Sequence, residues 1–415
     1  MADFEVHVDL HGRTRSIGLA RSNRVRGTET ILFEYDPAWL DDPDRFSLEP
    51  ALALTRGAFA PPAGLATFGS IGDSAPDTWG RRLMQRAARR LAEREGRAVR
   101  TLSESDYLLG VADQARLGAL RFCWVGDETF QAPTRAGVPA LIELGRLLQI
   151  SERIFRDEET DEDLQLIFAP GSSLGGARPK ASVIDRHGHL SIAKFPKETD
   201  EYSIETWEEI ALRLAGQAGI ATPRHELVEV AGKAVMLSRR FDRDGAIRIP
   251  FLSAMAMMGA KDGDRGSYPE MVDALARHGA QGKPDAHALY RRVVFHVLIS
   301  NVDDHLRNHG FLWTGKAGWS LSPAYDLNPV PTDLKARVLS TNIDLDEGTC
   351  SLDLLEAASG FFALTLTQAR SVIKEVATVT ARWRETAKAV GARSAEINRM
   401  ASAFEHDDLR RALAL

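Results

Sequence analysis

Asp303 stands five residues ahead of Asn308 in Asn301-Val302-Asp303-Asp304-His305-Leu306-Arg307-Asn308, and Asp326 lies 18 residues past Asn308 in Ser322-Pro323-Ala324-Tyr325-Asp326-Leu327-Asn328. A carboxylate, an amide and a second carboxylate at these spacings supply one base for a hydroxyl and two hard oxygen donors for a divalent cation. That is the equipment of phosphoryl transfer, which depends on placing Mg2+ against phosphate and aligning an attacking oxygen. On this reading Asp303 takes or orients the hydroxyl proton, while Asn308 and Asp326 hold Mg2+. A polar loop that only ends an apolar helix would have a similar composition, so the upstream elements must be weighed with it.

Transfer from ATP also needs a strand lysine that reaches the phosphates, a loop that covers them, and an acid on a helix to hold the lysine. Residues Lys180 to Phe195 read as a β-hairpin turning at Arg186-His187-Gly188-His189, with Lys194 near the end of its second strand. Strand alternation puts Leu190, Ile192 and Lys194 on one face, so Ile192 would lie under adenine and Lys194 at the phosphates. A helix follows whose apolar stripe is Trp207, Ile210, Ala211, Leu214 and Ala218, ended by Gly219. Glu208 lies just off that stripe and would turn toward Lys194, while Glu205 and Glu209 read as solvated. A second hairpin around Gly232 runs into Arg239-Arg240-Phe241-Asp242-Arg243, where a hinge between lobes is expected.

Ahead of the first hairpin, Gly171-Ser172-Ser173-Leu174-Gly175-Gly176-Ala177-Arg178-Pro179-Lys180 is small and polar. Backbone N–H groups in such a segment can approach an anion closely, and Lys180 would add charge. It is not a Walker A loop, because no Lys-Ser/Thr pair directly follows Gly176. An ordinary flexible connection would show the same Gly and Ser content.

Together these segments resemble the HipA family of bacterial serine/threonine kinases, founding members of which are toxins of toxin–antitoxin pairs. Ser173, Gly176, Ala177 and Lys180 match the family's phosphate loop; Asn301, Asp303, His305 and Asn308 match its catalytic loop, with Arg307 where lysine is usual. Lys194 matches the strand lysine, Arg240 to Arg243 the hinge, Asp326 in Tyr-Asp-Leu the metal aspartate, and Asp73 to Arg81 a signature of the accessory domain. Arg239 departs from the glutamate often found before the hinge arginine. The resemblance implies an α+β, bilobal protein-kinase-like fold with an N-terminal accessory α/β subdomain (residues 1–125), an N-lobe (140–245) and a mostly helical C-lobe (246–415). It implies catalytic Asp303, His305 and Lys194; Mg2+ ligands Asn308 and Asp326; and ATP contacts from Ser173, Gly175, Gly176, Ala177, Lys180, Lys194, Glu208, Arg240, Phe241 and Tyr325. It further implies autophosphorylation of Ser173, with Ser172 an adjacent alternative, a protein substrate such as an aminoacyl-tRNA synthetase, and a helix-turn-helix antitoxin of the HipB type that carries the complex to DNA. A small-molecule kinase, or a corepressor platform for a DNA-binding partner, would use the same residues.

The chain has 415 residues, 44% of them hydrophobic, and a net charge of −6 that argues against a strongly basic nucleic-acid binder. Its two cysteines, Cys123 and Cys350, form no metal-binding spacing and suit a reducing compartment; with no apolar run of membrane-spanning length, the cytoplasm is the simplest address. Residues 79–100 are rich in arginine over an apolar seam, so Arg82, Arg86 and Arg90 would contact nucleic acid or an acidic partner, or simply be solvated. Short strands are expected near Phe4 to Leu10 and Thr30 to Glu34, a helix over Pro139 to Leu148, and a long C-terminal helix that starts at Thr365 and stops at Gly391.

Overall fold

The computed structural model describes residues 3–25, 27–131, 138–139, 143–168 and 176–415. The chain divides into two compact units, residues 1–199 with 228–252, and residues 200–227 with 253–415.

The first unit opens with a five-stranded antiparallel sheet in the order β4-β3-β2-β1-β5, where β1 is Asp3–Leu10, β2 Arg13–Val25, β3 Thr28–Tyr35, β4 Ala58–Phe59 and β5 Leu120–Trp124. Alternation sets its faces: Phe4, Val6 and Val8 are fully buried, while Glu5 and His7 point to the other side. β1 and β3 coincide with the alternating stretches in the sequence. The 13-residue β2 was not legible, because Arg-Thr-Arg-Ser-Ile-Gly-Leu-Ala-Arg-Ser-Asn-Arg-Val alternates poorly and carries Gly18 in mid-strand. That glycine has a steric reason, since a Cβ there would lie 2.3 Å from the Glu34 carbonyl oxygen.

A second sheet follows in the order β6-β7-β9-β8, with β6 Lys180–Ile184, β7 Leu190–Lys194, β8 His225–Val230 and β9 Lys233–Arg239. Both expected hairpins are present. The turn between β8 and β9 has positive φ at Ala231 and Gly232. A buried cluster of Leu147, Ile150, Val183, Phe195 and Val235 joins this sheet to Trp79 and Leu83 of the Thr78–Arg94 helix. The helix expected over Pro139 to Leu148 instead spans Leu144–Phe155, because its apolar stripe (Leu144, Leu147, Leu148, Ile150 and Ile154) continues past Leu148.

The second unit is mostly helical. Its central helix, Gly282–Ile299, buries Leu289, Val293, Val297 and Leu298 completely and ends at Ser300, whose φ of 53° turns the chain into the left-handed region. The expected long C-terminal helix is two: Leu366–Thr380, with the anticipated Thr365/Gln368 capping box, and Trp383–Val390, stopped by Gly391 at φ 97°. They separate because Trp383 turns inward, stacking on Phe404 at 4.6 Å and packing near Trp207 of the Ile204–Gln217 helix. Among the described residues, no helix is long and apolar enough to cross a membrane.

Candidate active site

The Gly282–Ile299 helix delivers the loop that begins at Asn301. Asn301 donates its backbone N–H to His296 O (2.9 Å), and its Oδ1 accepts from Asn328 N (2.9 Å), tying the loop to the Asp326 segment. A second tie comes from Tyr325, whose hydroxyl donates to Arg307 O at 2.6 Å. Asp326 sits at φ 58°, a conformation that a non-glycine residue holds only where its surroundings dictate it, and its Oδ1 accepts from Asn328 Nδ2 (3.2 Å).

Two adjacent aspartates have opposite fates. Asp304 is fully buried: it accepts from the Tyr268 hydroxyl and from Ser340 N (2.7 Å), while its carbonyl accepts from Thr341 Oγ1 (2.6 Å). Asp303 turns outward with 60% of its side chain exposed, and Lys335 Nζ lies 3.7 Å from its Oδ1. The burial of Asp304 therefore orients Asp303. His296 and His309 join the same plug, each facing the Tyr268 hydroxyl, at 3.0 and 3.4 Å. These three acidic and imidazole groups are close enough to hold a cation, but the Tyr268 oxygen takes the central position, so the cluster is a hydrogen-bonded support. Burial holds the His309 imidazole well below its usual range and the Tyr268 phenol well above.

Asn308 is 5% exposed. Its Nδ2 donates to Asp303 O (2.8 Å), leaving Oδ1 buried without a hydrogen-bond partner. A buried amide oxygen without a donor costs free energy unless a ligand meets it. Asp326, held by Asn328, would add a carboxylate oxygen to this amide oxygen, and such hard donors are of the kind that suits Mg2+. His305 borders a cleft of about 340 Å³ that Lys261, Arg265 and Arg307 also line.

Apart from Glu208, the other expected nucleotide contacts belong to the first unit. Lys194 is 8% exposed and pairs across the strands with Lys180, which is 5% exposed. Two buried cations side by side would repel each other, and the fold answers with Asp77, whose Oδ2 is 2.7 Å from Lys180 Nζ. Lys180 also donates to Gly176 O (3.1 Å), and Trp79 Nε1 donates to Lys180 O (3.1 Å). Lys180, expected to lend charge to phosphate, here has its charge matched by Asp77 and holds the end of the loop at Gly176. Asp77 was missed because a sequence shows its helix-capping position but not a partner 103 residues away. Gly176 and Ala177 are half-buried, whereas Ser172, Ser173 and Gly175 lie outside the described residues.

Arg240 is likewise engaged within the first unit. Its guanidinium is 1% exposed and donates to both Asp242 oxygens and to the carbonyls of Ala115 and Arg116, while its N–H donates to Leu190 O. Both groups thus have partners within the first unit. Burial pushes the Asp242 carboxyl up, yet Arg240 and Arg243 outweigh this and hold it at about 2. Phe241 is half-buried and tilts against Phe251.

Glu208 belongs to the second unit, 3% exposed on the Ile204–Gln217 helix; Glu205 and Glu209 are also buried, at 1% each, contrary to the expected solvation. Glu209 accepts from Arg213 (2.6 Å) and lies 2.7 Å from His225 Nδ1. The arginine-rich stretch differs from expectation as well. Arg86 meets Asp157 (2.6 Å) and Glu159 (3.1 Å), and Arg90 meets Glu159 (3.5 Å), so these two face acids of the same unit; Arg82 is exposed.

A family model described as HipA-like C-terminal domain matches residues 172–383, just over half of the chain. The chain belongs to this HipA-like family. A Haemophilus influenzae relative named "Putative kinase" is 25% identical over 211 residues, covering 44% of this chain and 61% of the relative. A kinase-named Sinorhizobium fredii protein, Y4dM, is 30% identical over 153 residues, 33% of this chain and 36% of its own length. The chain thus spans less than two thirds of either relative. Among solved structures, HipA from Shewanella oneidensis MR-1, in a complex with HipB and operator DNA, aligns with a TM-score of 0.64 at 17% identity, over 99% of this chain and 96% of that one. The architecture of this HipA-like chain is accordingly the expected α+β, kinase-like fold.

Proposed function

We propose that this HipA-like chain is an ATP- and Mg2+-dependent kinase that phosphorylates serine or threonine hydroxyls of protein. The observation that carries the reading is the opposed burial of Asp303 and Asn308: one carboxylate presented to solvent, and five residues later a buried amide oxygen without a donor. Asp303 would accept the proton of the attacking hydroxyl, and its position is fixed from below by Asp304. Asn308 and Asp326 would hold Mg2+, which supplies charge neutralisation on the phosphates when bound. Lys194, on β7, would bind the α- and β-phosphates, with the charge of its neighbour Lys180 already matched by Asp77. Glu208, buried on the Ile204–Gln217 helix, is the residue to which we assign the role of the helix acid.

The family membership supports a HipA-type activity, and the two kinase-named relatives agree with it. As the solved HipA neighbour is found with HipB and operator DNA, we extend to this chain a helix-turn-helix partner and indirect association with DNA, and a toxin role held in check by that partner. The pairing of Arg86 and Arg90 with acids favours such indirect association over direct DNA contact. An aminoacyl-tRNA synthetase is the substrate class we would test first, and Ser173 the site of self-modification; a phosphate there adds about −1.5 to −2 charges and would repel the triphosphate.

Intact and peptide masses of wild type and Asp303→Ala after incubation with Mg2+-ATP test the reading. We expect phosphate on residues 169–180 in wild type only. Absence of ATP binding to wild type would overturn it, and phosphate on both proteins would remove Asp303 from the chemistry.

A further inference from the structure

The outer face of the N-terminal sheet carries three metal-ligating side chains on adjoining strands. Glu5 and His7 are two residues apart on β1 and share a face, and β5 pairs Cys123 directly opposite Glu5. Their donor atoms form a triangle: His7 Nε2 to Glu5 Oε2 is 3.1 Å, Cys123 Sγ to His7 Nε2 3.4 Å, and Cys123 Sγ to Glu5 Oε2 3.7 Å.

Tetrahedral zinc, with bonds of about 2.3 Å to sulfur, about 2.05 Å to imidazole nitrogen and about 2.1 Å to carboxylate oxygen, would set those edges at about 3.4, 3.6 and 3.6 Å respectively. The triangle is therefore within a few tenths of an ångström of the face that a zinc ion caps. Its surroundings hold the donors in place. Gly126 N donates to the other oxygen of Glu5 (3.2 Å), and the Phe130 ring packs edge-on against His7 at 5.2 Å, with Arg121 stacked 3.8 Å above that ring. Such outer contacts orient ligands in metal sites. Cys123 is 2% exposed while the Glu5 and His7 side chains are 32% and 15% exposed, so the triangle is closed at the sulfur and open to solvent on the carboxylate side.

We propose that Glu5, His7 and Cys123 form a three-ligand site for a zinc-class divalent cation, with the fourth position left for water. A thiolate donor favours zinc or cobalt over Mg2+, so this site is chemically distinct from the oxygen donors Asn308 and Asp326. Binding replaces the Cys123 S–H bond with a metal–sulfur bond and releases the proton to solvent; without the cation, burial and Glu5 push the thiol up to about 11. The cation would clamp β1 to β5, strands 118 residues apart in sequence.

Co2+ titrated into the reduced, metal-free, full-length protein tests the site. We expect one equivalent to produce sulfur-to-cobalt charge-transfer absorption with four-coordinate d–d bands, displaced by Zn2+. The bands should be lost in Cys123→Ser, weakened at least tenfold in apparent affinity in Glu5→Gln and His7→Gln, and unchanged in Cys350→Ser and Asn308→Ala. Wild-type protein without charge-transfer absorption at millimolar Co2+, or bands that survive Cys123→Ser, would overturn the proposal. Should Cys123→Ser fail to fold, the half-exposed Glu5→Gln decides it: undiminished Co2+ affinity in that variant would also overturn the site.

Discussion

The Arg240–Arg243 segment and the loop from Asn301 to Asn308 both carry arginine and aspartate, yet they use their polar atoms in opposite ways. In the first, Arg240, Asp242 and Arg243 satisfy one another and neighbouring carbonyls, with Gly118 N also donating to Asp242 at 2.7 Å. In the second the hydrogen bonding stops short: Asn308 Oδ1 has no donor, and Asp303 faces solvent. A saturated cluster is a structural joint, whereas a fixed loop with an unmet oxygen is shaped for something that arrives later.

This contrast breaks most visibly if Asp303→Ala retains activity. We expect ATP turnover to fall about 10³-fold, within the range for a lost general base, with thermal stability within about 2 °C of wild type because the side chain is exposed. Arg240→Met should do the reverse. Removing one partner of a buried ion pair costs about 3 kcal/mol or more, which a urea melt would read, while the folded fraction keeps its ATP affinity. An affinity loss larger than the loss of folded protein would return Arg240 to the nucleotide site.

A third measurement probes saturation elsewhere in the second unit. His406 donates Nε2–H to Leu298 O (3.1 Å) and accepts from Leu409 N (3.3 Å), and burial lowers its imidazole to about 4. Above pH 6.5 it is neutral whether folded or unfolded; as pH falls toward about 4 only the unfolded chain takes the proton, so stability is lost across that window. His406→Asn keeps a helix-capping acceptor and should remove roughly 2–3 kcal/mol of this acid loss in melts at pH 7 and pH 4.5. Asn308→Ala should raise the Mg2+ concentration for half-maximal turnover about tenfold with little change in stability. Arg90→Ala is expected to be the mildest, below about 1 kcal/mol in a melt and silent in partner binding, as its contact is a partly exposed ion pair.

Both hairpins were legible because their signals are local, the turns at Gly188 and Gly232 each lying within a few residues, and the Asp303-to-Asn308 spacing that singled out the Asn301 loop is just as short. The Gly282–Ile299 helix was legible through its apolar ridge, although the ends of the Leu144–Phe155 helix and the break before Trp383 depend on tertiary packing. What could not be read was pairing at a distance. Glu209 looked like a solvated helix acid until His225 came beside it, and Arg240 looked available until Ala115 and Arg116 supplied carbonyls. Asp304 could have been suspected, because two consecutive loop residues seldom face the same way, and one of two adjacent aspartates is then turned inward.

The grip of Asp77 and Trp79 on Lys180 has a consequence for how the chain can be cut and how it is made. A fragment begun at residue 140 would keep Lys180 but discard its counterion, so a shortened chain that preserves the pair must reach back at least to residue 77. During synthesis the order is favourable: Asp77 and Trp79 leave the ribosome about 100 residues before Lys180, and a domain's amino-terminal part can fold first. The anchorage thus precedes the loop that it will hold, and a nascent chain stalled before residue 180 would expose an aspartate waiting for its lysine.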